Sequence, residues 1–162
     1  MDMVTNEVKS KSLPEQNYAT FAIQRRVFSR SYVSAMFIDK TSLNYTPPAD
    51  PAANSYSTFN RNAGLEYNLQ SANNQWNGKL LYFKSFSPGV SGKDAVQAGH
   101  LQYTNRKWTA YGQYEYVGAN YNPEVGYVPR RNYFKVNPML SRLFFPKGGK
   151  LLSHGPMFGS TQ

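Results

Sequence analysis

The fold is decided by the stretch Phe59-Asn60-Arg61-Asn62-Ala63-Gly64-Leu65-Glu66-Tyr67-Asn68-Leu69. The odd-numbered positions of this stretch, one parity, include Phe59, Ala63, Leu65, Tyr67 and Leu69. The even-numbered positions, the other parity, are Asn60, Asn62, Gly64, Glu66 and Asn68. Because successive side chains of a strand point to opposite faces, the pattern predicts a β-strand with one apolar and one strongly polar face. A helix would distribute the same residues around its whole circumference.

The same alternation recurs along the chain and predicts about seven strands and no helix. The clearest further segments have one apolar parity each: Ala19, Phe21 and Ile23; Trp108, Ala110, Gly112, Tyr114 and Tyr116; and Phe134, Val136, Leu140 and Phe144. The alternation is weaker over residues 32–40, 75–86 and 95–105. In the second of these, Lys84 shares a face with Trp76 and Tyr82, while Leu81 and Phe83 lie opposite.

The predicted connections alternate strictly between short and long. The links at 28–31, 71–74 and 105–107 are short, whereas those at 41–55, 87–93 and 118–131 are longer and hold prolines or glycines. In an antiparallel meander every second link lies at the same end of the sheet. Outer-membrane barrels keep short turns on the periplasmic side and longer loops outside, so the sorted links favour a barrel over a soluble meander.

The placement of aromatic residues agrees with a membrane-spanning sheet. The only tryptophans, Trp76 and Trp108, each begin a strand after a short turn. Other rings lie toward the opposite ends of the same strands, at Tyr82, Phe86, Tyr114 and Tyr116. Amphipathic rings favour both membrane–water interfaces, so we predict that all six are interface aromatics. The alternative is that the tryptophans fill the core of a soluble sandwich.

The polar parity has two possible environments. It would be the solvent face of a soluble β-sandwich, or the wet lumen of a barrel, and alternation alone does not separate the two. The length of the strands and the sorted loops favour the barrel. The predicted lumen-facing residues are Asn62, Glu66, Asn68, Gln113 and Glu115.

Composition removes several classes of protein. The chain has no cysteine, which excludes a disulfide-stapled fold and a thiolate zinc site. Its formal charge of +9 is scattered without a run of five basic residues, so nucleic acid is not an expected partner. No apolar run reaches the ~18 residues of a transmembrane helix, but barrel strands need only ~9–11 residues. Residues 1–12 are polar and show no export signal.

The sequence shows no catalytic constellation, cofactor site or metal site. Glu66 and Glu115 both belong to polar strand faces, but the predicted order places them three strand steps apart, about 14 Å, whereas a glycosidase pair lies within ~5–9.5 Å. We therefore interpret them as wall residues paired with arginines. His100 is a polar-face strand residue and His154 belongs to a Gly/Pro turn, so they offer no spaced metal ligands. Gly148, Gly149 and Lys150 do not complete a phosphate-binding loop.

The long link at 118–131 contains a candidate loop or rim site formed by Glu124, Arg130 and Arg131. One interpretation is a site for an anionic ligand or partner. The other, which we favour, is an ordered loop whose glutamate and arginines pair to hold it over the mouth of the sheet. Pro123 and Pro129 stiffen the loop in either case.

Several longer motifs resemble one bacterial family. They are the runs at 121–131 (YNPEVGYVPRR), 24–31 (QRRVFSRS), 85–89 (SFSPG), 60–65 (NRNAGL) and 153–156 (SHGP). Together they resemble an outer-membrane family catalogued as domain of unknown function 5916, over residues 4–155. The resemblance implies the C-terminal β-barrel region of a longer protein whose N-terminal module is similar to family-nine carbohydrate-binding modules. It supplies no catalytic residues.

We therefore expect an all-β fold, an antiparallel meander that forms a partial transmembrane β-barrel of an outer-membrane protein. Residues 1–162 would be a single barrel segment of a longer chain, with residues 1–16 disordered or the start of a linker. Seven strands are an odd number, whereas single-chain bacterial barrels have an even number of at least eight, so we expect closure to need residues beyond both ends.

The leading functional hypothesis is a Gram-negative outer-membrane barrel segment, a structural or transport platform linked to carbohydrate binding or uptake. The alternatives are part of a glycan-processing outer-membrane enzyme and a soluble basic β-sandwich that binds polyanions. The expected partners are membrane lipids and lipopolysaccharide, the remainder of the chain that closes the barrel, and carbohydrate as a further candidate. No cofactor is expected.

Overall fold

A computed structural model describes residues 14–47, 56–148 and 152–160. Consecutive strands pair in sequence order, and every neighbouring pair is antiparallel, so the described residues form an all-β meander in one open sheet without helices. The eight strands are β1 (Gln16–Val27), β2 (Ser31–Ser42), β3 (Phe59–Gln70), β4 (Trp76–Phe86), β5 (Ala95–Thr104), β6 (Trp108–Val117), β7 (Tyr133–Arg142) and β8 (Met157–Gly159).

Within the described part of the chain, no helix is long and apolar enough to cross a membrane.

The register places the two parities on opposite faces of the whole sheet. Directly opposed residues share a face, and Leu65 is opposed by Ala35 and Tyr82. Followed across the sheet, this row is Ile23, Ala35, Leu65, Tyr82, Gln97, Tyr116 and Phe134. The next row is Gln24, Ser34, Glu66, Leu81, Ala98, Glu115 and Lys135. We call the side of the first row the apolar face and the side of the second the polar face.

Over β3 to β7 the apolar face is the more exposed one, whereas the interior residues of β1 are exposed on both faces, with Tyr18 on the polar face 56% exposed. Leu65 is 58% exposed, Phe21 62% and Phe134 65%, whereas Asn60 and Asn62 on the polar face are 0% and 2% exposed. A water-soluble domain instead buries its large apolar side chains and exposes most of its amides. The sheet is therefore inverted relative to a soluble fold, with amides enclosed and large apolar side chains outside.

The sheet is sheared steadily in one direction. One row of opposed residues is Arg26, Tyr32, Asn68, Lys79, His100, Gln113 and Asn137. At the short-turn end, the β1–β2, β3–β4 and β5–β6 ladders extend one, two and four residues beyond this row. Their last pairs are Val27–Ser31, Gln70–Asn77 and Thr104–Thr109. At the other end the β2–β3, β4–β5 and β6–β7 ladders stop nine, five and four residues away from the row, at Thr41–Phe59, Lys84–Ala95 and Val117–Tyr133.

This stagger averages about one residue per strand. One residue is a shift of about 3.3 Å along the strand, and neighbouring strands lie ~4.8 Å apart. The strands are therefore tilted by about 35° away from the perpendicular to the sheet edge that carries the turns. The tilt reflects the positions of the turns, because each short turn closes its hairpin further along than the short turn before it.

Charged residues on the apolar face lie only near strand ends, within the described sheet. Arg25 and Arg142 lie near the short turns, and Asp39, Arg61 and Lys84 lie near the long loops. At the loop end the charges are paired: Arg61 Nε lies 2.7 Å from Asp39 Oδ1, and Lys84 Nζ lies 3.5 Å from Asp94 Oδ1. The central band of this face therefore carries no charge.

The structure departs from the sequence prediction at the C-terminal end. The sheet has eight strands rather than about seven, because the short β8 pairs with β7 over Met139–Ser141. Strand β7 ends at Arg142, and Phe144, predicted to continue it, makes only an isolated bridge with His154. The β7–β8 connection, at residues 143–156, is long although it lies at the end of the short turns, so the alternation of link lengths stops at β7.

At the N-terminus, the predicted disordered or linker segment falls mostly on residues 1–13, which lie outside the described residues. Its last residue, Gln16, begins β1.

Two strand glycines provide a matched test of packing on the two faces. A Cβ at Gly64, on the polar face, would lie 2.3 Å from the ring of Phe83, whereas a Cβ at Gly112, on the apolar face, would meet nothing within 4 Å. We expect Gly64→Ala to lower the free energy of unfolding by about 1–3 kcal/mol, because the ring must move. Gly112→Ala should leave it unchanged or raise it slightly. Denaturant unfolding of both variants checks this, and equal effects would contradict the register.

Candidate functional site

The link from β6 to β7, residues 118–132, folds back over the polar face at the end of the long loops. We call it the β6–β7 loop. Its start is tied to the β4–β5 connection, because Gly118 N donates to Ala95 O at 2.9 Å and Asn120 N donates to Lys93 O at 2.8 Å. From there it crosses β4 and β3 and reaches β2, so it covers the polar face over several strands.

Asn60 is the centre of the attachment. Its Nδ2 donates to Ser87 Oγ at 2.9 Å and to the carbonyl oxygen of Asn122 at 2.8 Å. Its Oδ1 accepts from the backbone N–H of Glu124 at 3.1 Å and from Asn62 Nδ2 at 2.8 Å. A fully buried amide whose donor and acceptor are both used costs little to bury, and it fixes the loop at two backbone positions, Asn122 and Glu124.

A second serine–backbone contact adds to this attachment. Ser85 Oγ, on β4, accepts from the backbone N–H of Asn122 at 3.0 Å and lies 3.2 Å from the carbonyl oxygen of Asp94, to which it donates. One hydroxyl therefore joins the β6–β7 loop to the β4–β5 connection. Polar groups removed from water here are satisfied by the loop itself.

Glu124 reaches across to β2. Its Oε2 lies 2.6 Å from Lys40 Nζ, and its Oε1 accepts from Ser57 Oγ. Lys40 and Asn60 are directly opposed on β2 and β3, so a single loop residue contacts two neighbouring strands through its side chain and its backbone. The interaction is a charge-assisted hydrogen bond in a partly enclosed position.

Backbone atoms in this region approach one another closely. A Cβ on Gly118 would lie 2.1 Å from the carbonyl oxygen of Lys93, so only glycine fits between the two connections. Tyr121 is one of two buried hydrophobic residues in the described chain. Burial raises the pKa of its phenol.

The two predicted rim arginines serve the loop in different ways. Arg131 Nη2 donates to Asn122 Oδ1 within the same loop. The Arg130 guanidinium lies over the ring of Tyr133, 5.6 Å from its centroid. Glu124 contacts neither arginine in the structure. Glu124 pairs with Lys40 instead. The proposal of a rim site at Glu124, Arg130 and Arg131 stays a prediction.

All five predicted lumen residues lie on the polar face. Asn62, Glu66 and Asn68 follow one another on β3, and Gln113 and Glu115 lie on β6. Glu66 and Glu115 lie in one row three strand steps apart, as predicted. Glu66, however, pairs with Lys79 at 2.8 Å rather than with an arginine, and it also accepts from Asn68 Nδ2 at 2.6 Å.

The rest of this face combines amides with rings. His100 stacks on Tyr111 with ring centroids 6.1 Å apart, and Tyr111 donates to Gln113 Oε1 at 3.0 Å. Two buried amide oxygens, Asn62 Oδ1 and Asn137 Oδ1, accept no hydrogen bond from the described residues, although Asn62 donates through its Nδ2 to Asn60. Amide and phenol groups at this spacing can bind water or the hydroxyl groups of a solute.

All six predicted interface aromatics lie on the apolar face. Trp76 and Trp108 are at the short-turn end and Phe86 and Tyr116 are at the loop end, while Tyr82 and Tyr114 lie nearer the middle of their strands. Sequence reasoning missed Tyr103, whose ring lies 4.8 Å from that of Trp76. The signal available was its parity on β5, which matches the tryptophan across the ladder.

No group of three metal-binding side chains occurs in the part of the chain that the structure describes. Comparison of the chain with known protein families, with characterised proteins and with solved structures found no match. Functional inference therefore rests on the geometry.

Limited proteolysis tests the attachment of the β6–β7 loop, because Arg130 and Arg131 are trypsin sites within it. We expect Asn60→Ala to raise the rate of cleavage at these arginines about tenfold, since losing a buried amide costs about 1–3 kcal/mol and cleavage follows the open population. Asn68→Ala, on the same strand and face but at the other end, is the control and should leave the rate unchanged. Equal rates for all three proteins would show that the loop is not held by Asn60.

Proposed function

We propose that this chain forms part of the wall of a transmembrane β-barrel in a Gram-negative outer membrane. It acts as a structural or transport platform linked to carbohydrate binding or uptake. The observation that carries the proposal is the inverted sheet: large apolar side chains are exposed on one face while amides are enclosed on the other. This distribution of side chains is stable when the apolar face contacts membrane hydrocarbon and the polar face contacts water inside a barrel.

The shear of the sheet supports this placement. A strand tilt of about 35° lies at the lower edge of the range for membrane barrels, and strands of ten to twelve residues in β1–β7 are long enough to cross at that tilt. The uncharged central band of the apolar face agrees with contact to hydrocarbon. Its end charges can reach the interfaces, where Lys and Arg side chains extend toward water.

The outer edges of β1 and β8 have no further strand among the described residues. In hydrocarbon each unpaired backbone group costs several kcal/mol, so the proposal requires these edges to be covered. We propose that the remainder of the polypeptide supplies the strands that close the barrel.

The polar face supports the link to carbohydrate. It presents side-chain amides at Asn68, Asn77, Gln102 and Gln113 beside the rings of His100 and Tyr111. Amides pair with sugar hydroxyls as donor and acceptor, and rings pack on the apolar faces of sugars. This is a lining suited to neutral, hydroxyl-rich solutes rather than to one fixed ligand.

The two alternatives fit the geometry less well. A soluble β-sandwich would pack the apolar face against a second sheet, and the described residues form one sheet with that face uncovered. A glycosidase would need two carboxylates within ~5–9.5 Å, and Glu66 and Glu115 are separated by three strand spacings of ~4.8 Å each.

Single-cysteine scanning tests the proposal directly, because the chain has no native cysteine. Leu65→Cys and Leu80→Cys report the apolar face, and Asn68→Cys and Asn77→Cys, each three residues nearer the short turns on the same strand, report the polar face. The full chain is folded into phosphatidylcholine vesicles and each cysteine carries a small fluorophore. We expect a lipid-bound nitroxide to quench the two leucine positions at least about threefold more than the two asparagine positions, because quenching needs contact with acyl chains.

A water-soluble quencher should give the opposite order. Protection of Leu65 and Leu80 from both quenchers would mean that they pack in a dry interior, and the sandwich would then replace the barrel. Equal quenching of all four positions by the aqueous quencher would exclude both.

A further inference from the structure

The short-turn end of the sheet carries a second candidate site, away from the β6–β7 loop. It is formed where the β5–β6 turn meets the start of the β7–β8 connection. Leu143 N donates to Lys107 O at 2.7 Å, and Arg142 N donates to Pro156 O at 3.1 Å. A Cβ on Gly155 would lie 1.7 Å from Arg142 O, so this junction requires glycine. The two connections are thereby held together as one surface.

Cations and aromatic rings are interleaved on this surface. The Arg142 guanidinium carbon lies 4.8 Å from the Trp108 ring centroid and 4.6 Å from that of Phe144. The Arg106 guanidinium lies 5.1 Å from the Phe145 ring. Stacking uses the flat faces of a guanidinium and leaves its N–H edges directed outward, so it orients these cations without neutralising them.

No carboxylate balances this charge. The sequence has no Asp or Glu between residues 95 and 114 or after Glu124, while Arg106, Lys107 and Arg142 lie in this part of the chain. Among the described residues, none of these three cations is in a salt bridge. This differs from the loop end, where Arg61 and Lys84 each have an acidic partner.

Two of the three cations, Lys107 and Arg142, line a pocket. An open depression of about 420 Å³ is lined by Lys107, Arg142, Phe144, Phe145 and His154, among others. The rings of Phe144 and His154 stack with centroids 5.8 Å apart and form one wall. The volume and the uncompensated positive charge fit a phosphate group, which accepts hydrogen bonds from several N–H donors at once.

We propose that this pocket, the short-turn pocket, binds the phosphate of an anionic phospholipid. The choice of a lipid rests on the proposed membrane placement and on the exposed apolar side chains around the cations, Leu143, Phe144 and Phe145. Rings and arginines side by side are suited to the membrane–water interface, where the ring meets hydrocarbon and the cation meets a headgroup. A free phosphate ion would gain nothing from the exposed rings.

The position of Trp108 provides a reporter. Trp76→Phe leaves Trp108 as the only tryptophan, in contact with Arg142, and Trp108→Phe leaves Trp76 as a reporter on another hairpin. The full chain is folded into vesicles of phosphatidylcholine in which either this lipid or phosphatidylglycerol carries brominated acyl chains. Bromine quenches tryptophan on contact, so titration gives the relative affinity of the two lipids at each reporter.

We expect phosphatidylglycerol to be preferred at Trp108 by at least about fivefold, the effect of roughly one cation near a lipid phosphate. The preference should fall several-fold in Arg106→Gln/Lys107→Gln, which removes two exposed turn cations outside the ladder and leaves Arg142 as the remaining cation of the pocket. It should persist in Arg130→Gln/Arg131→Gln, which removes the same charge at the other end. Trp76 should show no preference.

The outcomes that overturn the proposal are distinct. Equal quenching of Trp108 by both lipids removes the phosphate site and leaves the membrane placement intact. Quenching of neither tryptophan by either lipid removes the placement itself, and the lipid site with it. Loss of the preference on adding inorganic phosphate at constant ionic strength would assign the pocket to a free anion instead of a lipid.

Discussion

The structure depends on the register of the β-ladder. Because side chains alternate with a period of two, a slip of one residue between two strands would exchange the apolar and polar faces of everything beyond it.

The short turns fix the register at one end. Asn105 Oδ1 accepts from the backbone N–H groups of Lys107 and Trp108, and the Ser71 and Trp76 backbones pair across the β3–β4 turn. Asn74 takes a left-handed conformation there, with φ 58°, which asparagine tolerates better than most residues. Arg30 then links the first two short turns by donating to Asn74.

Once the short turns fix the register, the other end of the sheet is free to carry long connections. The β6–β7 loop lies over polar side chains, and such a surface can be covered only if each hidden group finds a partner. Asn60 and Ser85 meet this requirement by binding loop backbone rather than other side chains. A backbone partner is present whatever the loop side chains are, so the attachment depends on the path of the loop more than on its composition. The side-chain contact of Glu124 with Lys40 adds the charge-specific part.

The sequence predicts features that are encoded within a single strand, but it does not predict contacts between residues far apart along the chain. The parity of residues 59–69, the seven long strands and the faces of all the candidate residues follow from alternation, which each strand carries within itself. The partner of Glu124 does not: Lys40 lies 84 positions away along the chain, and nothing in either neighbourhood indicates it. The same reason explains why alternation places Asn60 on the polar parity but does not predict its contacts with the β6–β7 loop. Strand β8 was missed because three residues are too few for alternation to show, and it forms only because Gly155 lets the chain approach Arg142.

The two ends of the sheet differ in how charge is held, and the difference gives the sheet a direction. At the loop end the two cations of the apolar face are each paired with a carboxylate, Arg61 with Asp39 and Lys84 with Asp94. At the short-turn end Arg142 and Arg106 rest on aromatic rings and keep their charge. A ring contact holds a cation in position at an interface, whereas a carboxylate would cancel its attraction for an anionic headgroup. On the proposed membrane placement, the two rims would therefore meet the two leaflets differently, and the short turns would be the end that retains phospholipid phosphate.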